Sequence, residues 1–254
     1  MRLDKAIFEK GLVQSRSRAS LLINENSVKV NGKIISKASY DVKDKDIIEV
    51  IDSIGYVGRG GLKLEAALKN FNIDVSGKDA LDIGASTGGF TQCLLKFNAK
   101  SVVAVDVGYG QLHESLLRDN RVTLMEKFNA KNLTPEVIGG KKDIIVMDVS
   151  FISQTEIFEA MFSCLKDNGV AVTLVKPQFE VGSKNLNKKG IVKDKKIYSD
   201  VFLKIQNCAQ KYGYSVFNIC DSPILGGDGN KEFLFEIRPG GSNFNNLLEA
   251  RIKN

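Results

Sequence analysis

Short apolar runs alternate with segments of helical periodicity from Lys78 onward, and this alternation limits the fold more than any other feature of the sequence. The predicted strands lie at residues 80–83, 102–106, 121–126, 143–148, 170–175, 215–221 and 232–237. The predicted helices lie before or between them, at residues 63–71, 90–97, 156–165 and 198–212. Because each helix carries the chain back before the next strand begins, this order predicts a mostly parallel, seven-stranded α/β sheet.

The first 51 residues have a different pattern, which predicts a small α+β domain. Apolar residues recur at helical spacing before Gly11, a residue type that favours the end of a helix. Ser15 can cap a second helix, because a serine side chain accepts a hydrogen bond from the first helical turn. Asn31 and Gly32 follow alternating valines and form a strong hairpin signal. With a last strand at residues 46–51, the pattern predicts two short helices and a small antiparallel sheet.

Composition suggests where these units end. Residues 52–62 are rich in glycine and are predicted to form a linker between the two domains. Residues 63–239 then form the second domain, and residues 240–254 a short, polar, peripheral tail.

The composition also argues against several classes of function. The four cysteines form no CxxC pair and the chain has one histidine, His113, so disulfide, zinc and Ser-His-Asp chemistry are poorly supplied. The apolar runs are too short to cross a bilayer, and the charged residues after Met1 do not resemble a signal peptide. We therefore expect a cytoplasmic protein without a metal site or a membrane span. The formal net charge of +6 is compatible with a polyanionic partner.

Basic residues cluster in the N-terminal unit, where Arg16 and Arg18 open the second helix and several lysines follow. Charge alone favours an ordinary solvated surface. The order of two motifs, R-S-R-A from Arg16 and V-K-V-N-G from Val28, resembles the small RNA-binding module of ribosomal protein S-four. This resemblance implies phosphate contacts by basic side chains. The candidates for RNA binding are Arg2, Arg16, Arg18, Lys37 and Arg59.

A glycine-rich loop, D-I-G-A-S-T-G-G-F from Asp82, follows the first predicted strand of the sheet and opens a helix. Ligands bind at such loops in open α/β sheets. Ser86 stands where a dinucleotide-binding loop has its second glycine, and no Walker lysine is present, which argues against a dinucleotide or ATP. Asp106 ends the next strand, where a carboxylate can bind ribose hydroxyls or simply cap a turn. Asp148 ends a later strand and is expected at the same crevice.

Four motifs in order, D-I-G-A-S-T-G-G-F-T, A-V-D-V-G-Y-G-Q-L, M-D-V-S-F-I-S and V-K-P-Q-F-E, resemble the TlyA family. Its members join an S-four-like RNA-binding domain to a methyltransferase domain similar to FtsJ. The resemblance implies a Rossmann-like class I methyltransferase fold and S-adenosylmethionine as the cofactor. It also implies methylation of a cytidine ribose 2′-hydroxyl in ribosomal RNA within ribosomal subunits. Oligomeric state is not encoded in these motifs, and a monomer is favoured.

The family resemblance also implies site residues. A Lys-Asp-Lys-Glu tetrad of the family matches Lys63, Asp148, Lys176 and Glu232. The candidate cofactor contacts are Gly84, Ser86, Gly88, Gly89, Asp106, Asn129 and Asp148. Asn129 follows the strand where the family binds the adenine, although the surrounding E-K-F-N departs from the family's usual E-R-T-N.

The chemistry of methyl transfer to a hydroxyl suits these residue types. Lys176 is the candidate general base, because it ends a strand at the crevice and a lysine can be held neutral by burial or by a second positive charge. Lys63 could supply that charge or hold an RNA phosphate, and Asp148 would orient Lys176. Glu232 would position Lys63 or the substrate hydroxyl. The plainer interpretation is that a lysine before a proline is a surface residue and that a strand-end carboxylate caps a helix.

Three other functions compete with this hypothesis. A dehydrogenase could use the same fold, but the loop lacks the second glycine. A non-catalytic RNA-binding or ribosome assembly factor could keep the pocket without the activity. Some members of the family are named haemolysins, but no long apolar span or amphipathic lytic segment supports a membrane-active function.

Overall fold

The computed structural model describes residues 1–13, 15–24, 26–50, 55–194, 196–226 and 229–252. Its helices are Leu3–Glu9 (α1), Arg16–Asn24 (α2), Gly60–Asn70 (α3), Gly89–Lys96 (α4), Glu114–Leu117 (α5), Phe158–Ser163 (α6), Pro177–Glu180 (α7), Ile197–Gln210 (α8) and Phe244–Ile252 (α9). Its strands are Val28–Val30 (β1), Lys33–Ile34 (β2), Ile48–Val50 (β3), Asp79–Ile83 (β4), Ser101–Val105 (β5), Val122–Met125 (β6), Lys142–Met147 (β7), Leu165–Val175 (β8), Tyr214–Asp221 (β9) and Phe233–Pro239 (β10). Short 3₁₀ turns lie at Ala130–Asn132, Gln154–Glu156 and Ser183–Asn185.

Local signals define the small N-terminal domain. The Ser15 hydroxyl accepts a hydrogen bond of 3.1 Å from the Arg18 amide, so Ser15 caps α2 as predicted. Asn31 and Gly32 have φ angles of 50° and 77°, the geometry of a tight two-residue turn between β1 and β2. The three strands pair antiparallel in the order β2-β1-β3, and apolar side chains of α1, α2 and β1 form a separate core beside them.

Seven strands form the large sheet, in the order β6-β5-β4-β7-β8-β10-β9. The first five in this order are parallel, whereas β10 is antiparallel to β8 and to β9. The prediction of a mostly parallel, seven-stranded α/β sheet is therefore confirmed. The loops after the five parallel strands leave the sheet at one edge, its carboxyl edge, and so border a common crevice.

Alternation along the inner strands supplies both faces of the sheet with apolar side chains. Leu81 and Ile83 of β4 belong to a hydrophobic cluster that includes α6 and α8. Ala80 of the same strand belongs to a second cluster, which includes α3 and α4. Helices therefore cover both faces, and the polar side chains at the strand ends are left to form a site.

Two predicted helices differ from the structure. Helix α3 begins at Gly60 rather than at Lys63, so the end of the segment predicted as a linker is helical. The helix predicted at residues 156–165 is divided into a 3₁₀ turn and α6, and Leu165 opens β8 because it pairs with Lys142 of β7. Pairing across the sheet outweighed helical periodicity at this point. Ile51 and residues 52–54, at the predicted domain boundary, lie outside the described residues.

The prediction of a peripheral C-terminal tail was wrong. The segment forms α9, which contacts β9 and α8. Phe244 is 4% exposed and belongs to the hydrophobic cluster on that face of the sheet, and Leu248 packs against the same cluster. Because the polar residues around them dominate the composition, the sequence pattern concealed these two anchors.

Replacing Phe244 by alanine tests whether α9 is part of the folded domain. We expect Phe244→Ala to lower the free energy of unfolding by about 3 kcal/mol, because the truncation removes buried apolar surface and leaves a cavity. Urea unfolding followed by circular dichroism measures the change. Asn245→Ala, exposed on the same helix, is the control and should change stability by less than ~0.5 kcal/mol. Equal stabilities for the two variants would contradict the packing of α9.

Candidate active site

A pocket of about 590 Å³ opens at the carboxyl edge of the large sheet. Its volume lies within the range of small-molecule and cofactor sites, roughly 300–1,000 Å³. Loops after the parallel strands form most of its wall, and Leu21 and Asn24 of α2 extend the wall from the N-terminal domain. The pocket therefore lies in the crevice where the sequence placed its candidate residues.

The glycine loop after β4 lies directly against the end of β7. Gly84 has a φ of 84°, and a Cβ added there would be 2.2 Å from the carbonyl oxygen of Asp148. Only a residue without a side chain allows this approach. Ser86 also has positive φ, at 48°, and its amide donates a 2.7 Å hydrogen bond to Oδ2 of Asp106. The loop is therefore held between the ends of β7 and β5.

Asp106 is both a turn cap and an available acceptor. Its second oxygen, Oδ1, accepts a 2.7 Å hydrogen bond from the amide of Gly108. Each carboxylate oxygen can accept a further hydrogen bond, and Asp106 lines the pocket. The two interpretations drawn from the sequence, a cap and a ribose ligand, are thus compatible in one side chain.

The other two predicted glycine contacts serve packing. Gly88 is outside the pocket wall, and a Cβ added there would be 2.2 Å from Cδ1 of Leu116. Gly89 does line the pocket, but a Cβ there would be 2.8 Å from the amide nitrogen of Gly61. These glycines bring α4 close to α3 and α5, and a cofactor contact by Gly88 stays a prediction.

The four candidate catalytic residues all line the pocket, where they form two lysine–carboxylate pairs. Lys63 Nζ lies 2.6 Å from Oε2 of Glu232, and both side chains are buried. Lys176 Nζ lies 2.5 Å from Oδ1 of Asp148, and their side chains are 13% and 21% exposed. Lys176 also donates a 2.9 Å hydrogen bond to the hydroxyl of Ser150. The sequence predicted the members of this group, and the structure gives their pairing.

Partial burial determines what these pairs can do. A charge withdrawn from water is costly unless an opposite charge accompanies it, so each lysine is held beside its carboxylate. Asp148 and Ser150 fix the Lys176 amine at a defined point of the pocket wall. An amine in that position can exchange a proton with a hydroxyl bound beside it, while Asp148 offers a negative charge to a cationic ligand.

Sequence reasoning missed several residues of the wall. Ser150 and Phe151 lie two and three positions after Asp148, and Gln178 and Phe179 lie two and three positions after Lys176. Proximity to predicted residues was therefore the available signal. Phe151 is 91% exposed, and its ring centroid lies 5.1 Å from that of Phe179. Exposed aromatic rings at a pocket mouth offer a surface on which a planar ligand can stack.

Gln178 adds an acceptor without a partner to the pocket wall. The residue is 8% exposed, and its Oε1 atom has no hydrogen-bond partner among the described residues. A buried acceptor left without a donor costs about 1–3 kcal/mol. A donor group on a bound ligand would recover that cost.

Asn129 lies on the pocket wall after β6, as predicted for an adenine contact. Its Oδ1 atom accepts a 3.0 Å hydrogen bond from the amide of Lys131 and caps the 3₁₀ turn that follows. The amide nitrogen of the side chain remains a donor for a ligand.

Arg2 and Arg16, two of the candidate RNA contacts, share one buried partner. Both guanidinium groups bond the carboxylate of Asp4, Arg2 at 3.0 Å and Arg16 at 2.8 Å. Arg2 and Arg16 hold the pKa of Asp4 at about 2, although its burial opposes this. Both arginines are half exposed and remain accessible, as does the exposed Lys37.

Arg18 and Arg59 join different parts of the structure. Arg18 donates a 2.6 Å hydrogen bond to the carbonyl of Val57 and so connects α2 with the segment that leads into α3. Arg59 lines the pocket and donates to the carbonyl of Leu225. The sequence predicted that Arg18 contacts RNA. In the structure its side chain makes a contact between the domains, and RNA binding by Arg18 stays a prediction.

Asp82, beneath the glycine loop, is the most perturbed acid of this region. It is fully buried and accepts a 2.6 Å hydrogen bond from the hydroxyl of Thr91. Burial raises the pKa of Asp82 to about 7, and the negative charges of Asp148 and Asp106 add to the rise. The acid is therefore largely neutral in slightly acidic solution, which reduces repulsion among the three carboxyl groups.

Asp82→Asn should remove a pH dependence of stability. The pKa of Asp82, about 7 in the folded chain, exceeds its value of about 3.9 in unfolded chains. The folded state therefore holds the proton more tightly, and the stability of the unsubstituted protein falls as pH rises through that window. Between about pH 4 and pH 7, we expect the free energy of unfolding of the unsubstituted protein to fall by on the order of 4 kcal/mol relative to that of Asp82→Asn.

Urea unfolding at several pH values measures this difference. Asp79→Asn, on the same strand, is the matched control. Its effect on the pH dependence of stability should have the opposite sign, because hydrogen bonding from Ser101 lowers the pKa of Asp79. The contribution of Asp79 is present above its unfolded pKa and is lost as pH falls. If the difference in unfolding free energy between the unsubstituted protein and Asp82→Asn did not change with pH, the raised pKa of Asp82 would be contradicted.

Among the described residues, every helix is too short or too polar to cross a bilayer. No group of three or more histidine, cysteine or acidic side chains in the same part of the chain is placed to hold a metal ion.

Models of protein families match both domains. Residues 56–238 match the family described as FtsJ-like methyltransferase, and residues 1–48 match the S4 domain. Together these matches extend over the N-terminal domain and the large sheet.

Individual proteins are similar along nearly the whole chain. Hemolysin A of Brachyspira hyodysenteriae is 45% identical over 239 residues, which cover 92% of this chain and 98% of that protein. The 16S/23S rRNA (cytidine-2'-O)-methyltransferase TlyA of Mycobacterium tuberculosis is 41% identical over 239 residues, which cover 93% of this chain and 89% of that protein. The solved structure of a candidate hemolysin from Streptococcus thermophilus has a TM-score of 0.76 and 37% identity, covering 100% of this chain and 96% of that one.

Proposed function

Because the chain belongs to the TlyA family of FtsJ-like methyltransferases, we propose that it transfers a methyl group from S-adenosylmethionine to the ribose 2′-hydroxyl of a cytidine in ribosomal RNA. The relative from M. tuberculosis is named for this reaction. The observation that carries the proposal is the Lys176–Asp148 pair, which lies in the same pocket as the glycine loop. The pair supplies a proton acceptor where a hydroxyl must lose its proton.

The pocket residues fit S-adenosylmethionine. Asp106 offers carboxylate oxygens to the ribose hydroxyls, and Asn129 offers an amide to the adenine edge. Asp148 offers a negative charge to the sulfonium. The orphaned acceptor of Gln178 requires a donor, which the amino groups of such a ligand can provide. When bound, the cofactor supplies an electrophilic methyl carbon, whose bond to sulfur breaks as the bond to the ribose oxygen forms.

Lys176 acts as the general base in this proposal. Its amine would take the proton of the 2′-hydroxyl as that oxygen attacks the methyl group that the cofactor would supply. Asp148 then stabilises the ammonium that forms, and Ser150 keeps the amine in position. A positioned base typically contributes about 10²–10⁴ in rate.

Lys63 and Glu232 form the second part of the proposed tetrad. Glu232 compensates the charge of Lys63, which would be costly to bury alone. The pair therefore presents a fixed donor and a fixed acceptor to the substrate, suited to hold the ribose or its neighbouring phosphate. We assign Lys63 and Glu232 to substrate positioning, which is the role that their mutual pairing supports.

The N-terminal domain supplies RNA binding in this proposal. Arg2, Arg16 and Lys37 present accessible positive charge on this domain, and Arg59 adds a guanidinium at the pocket. Such contacts bind phosphates without reading the base sequence. The domain thus brings the RNA to the enzyme, while the pocket selects the reacting nucleotide.

Methyl transfer to ribosomal subunits tests the proposed function. Small and large subunits from cells that lack the protein are incubated with the full chain and tritium-labelled S-adenosylmethionine, and 2′-O-methyl marks are then mapped. We expect label at a cytidine ribose. Binding of the subunits and of the cofactor without any label would instead support a non-catalytic assembly factor. Dye release from liposomes tests the haemolytic alternative.

Lys176→Ala should abolish methyl transfer and preserve cofactor binding. We expect the rate to fall at least ~100-fold, because the proton acceptor is lost. Calorimetry with S-adenosylmethionine should give an affinity near that of the unsubstituted protein. The control is Lys211→Ala, an exposed lysine at the other edge of the sheet, which should leave both measurements unchanged. Normal turnover by Lys176→Ala would remove Lys176 as the base.

A further inference from the structure

The segment between α7 and α8 concentrates positive charge. Residues 184–196, which we call the lysine hairpin, contain one acidic residue, Asp194. Lys195 lies outside the described residues. The other lysines of the segment are all exposed, and they are Lys184, Lys188, Lys189, Lys193 and Lys196.

These five lysines differ from most other lysines of the large domain. In most of those a carboxylate lies beside the amine, as in the pairs Lys69–Glu65, Lys131–Glu156 and Lys166–Asp143. In the part of the chain that the structure describes, none of the five hairpin lysines has such a pair. Their charges therefore repel one another without compensation, which is a cost unless an anion binds.

Asparagine side chains hold the hairpin in one conformation despite this repulsion. Asn187 Oδ1 accepts hydrogen bonds from the amides of Lys189 and Ile191, at 2.8 and 3.0 Å. Asn230, 1% exposed, accepts from the amide of Val192 at 3.1 Å and donates to the carbonyl of Gly190 at 3.0 Å. The hairpin is thus an ordered support for its lysines rather than a charged tail.

Two connections link the hairpin to elements of the pocket wall. It follows α7, whose residues Gln178 and Phe179 line the pocket. Its anchor Asn230 stands two positions before Glu232, another pocket residue, and the Asn230 carbonyl accepts a 2.9 Å hydrogen bond from Gly226. The hairpin therefore belongs to the large domain and is joined to segments that line the pocket.

We propose that the lysine hairpin binds the phosphates of the RNA strand that enters the pocket, as a second RNA-binding element besides the N-terminal domain. The proposal rests on the proposed function, because it takes RNA as the substrate. Exposed, uncompensated lysines suit phosphates, since each contact releases a counterion from the RNA. The hairpin thereby holds the RNA backbone near the reacting nucleotide.

The positive charge of the hairpin suits RNA as its ligand and does not suit the cofactor. S-adenosylmethionine carries a net positive charge, so an uncompensated lysine cluster repels it. Inside the pocket, by contrast, Lys63 and Lys176 are each balanced by a carboxylate. Positive charge outside and balanced charge inside suit a polyanionic substrate that must reach a site holding a cationic donor.

Charge-removal variants test the hairpin. Lys188→Gln, Lys189→Gln and Lys193→Gln are combined in one chain. Lys100→Gln, Lys141→Gln and Lys211→Gln are combined in the control, since these exposed residues lie beside the opposite ends of the strands. Both variants lose the same charge. Binding of a labelled, cytidine-rich single-stranded RNA is measured over a range of salt concentrations, together with KM and kcat for methyl transfer to ribosomal subunits.

The hairpin variant should bind the RNA at least ~10-fold more weakly at low salt. Its plot of log affinity against log salt should be shallower by about 2, since each phosphate contact on a single strand contributes roughly 0.7. KM for ribosomal subunits should rise while kcat and the affinity for S-adenosylmethionine stay unchanged. The control variant should resemble the unsubstituted protein in RNA affinity, salt dependence, KM, kcat and affinity for S-adenosylmethionine.

Three results would overturn the proposal. One is a salt dependence of RNA binding that the hairpin substitutions leave unchanged, and another is an equal loss of binding in the control. The third is hairpin-dependent binding to phosphatidylglycerol vesicles with unaltered RNA binding, which would identify an anionic membrane as the partner. If the unsubstituted chain methylates no RNA and the hairpin still governs RNA affinity, the proposed function fails while the RNA-binding surface stands.

Discussion

The parallel pairing of β4 with β7 is the constraint on which the site depends. Its register sets Ile83 opposite Met147, so the glycine loop and Asp148 leave the sheet side by side. β8 pairs with the other side of β7 and brings Lys176 to Asp148. β10 then returns antiparallel with Phe233 opposite Val175, which places Glu232 at the level of Lys176. Each strand pairing thus adds one functional group to a single edge, and none of these groups needs a loop to carry it there.

The distribution of charge follows from this geometry. Groups brought together at a sheet edge are partly withdrawn from water, and they are tolerated there because the lysines and carboxylates are matched in pairs. Outside the pocket the lysine hairpin is under no such restriction, since its side chains remain in water. Under the proposed function, the two regions have separate tasks. The balanced interior accepts a cationic methyl donor, and the positive exterior holds an anionic RNA.

The sheet and the strand-end residues were predictable because both follow from local patterns. Alternating apolar runs define strands, and the rule that ligands bind at carboxyl ends selects Asp106, Asp148 and Lys176. Pairings between distant segments were not predictable from those patterns. Arg16 and Arg18 look alike in the sequence, yet one bonds Asp4 within its own domain and the other bonds Val57 beyond it. The burial of Phe244 likewise depends on a surface formed by elements far away in the chain.

The contact between the domains makes the N-terminal domain part of the pocket itself. Leu21 and Asn24 of α2 form part of the pocket wall, and Arg18 of the same helix bonds the segment that leads into α3. Lys63 stands in the first turns of α3. Helix α2 is therefore connected with the pocket both through its own wall residues and through the segment before α3. Under the proposed function, RNA binding energy can be used to orient the reacting groups, which raises the rate only if the orientation is better in the transition state than before it.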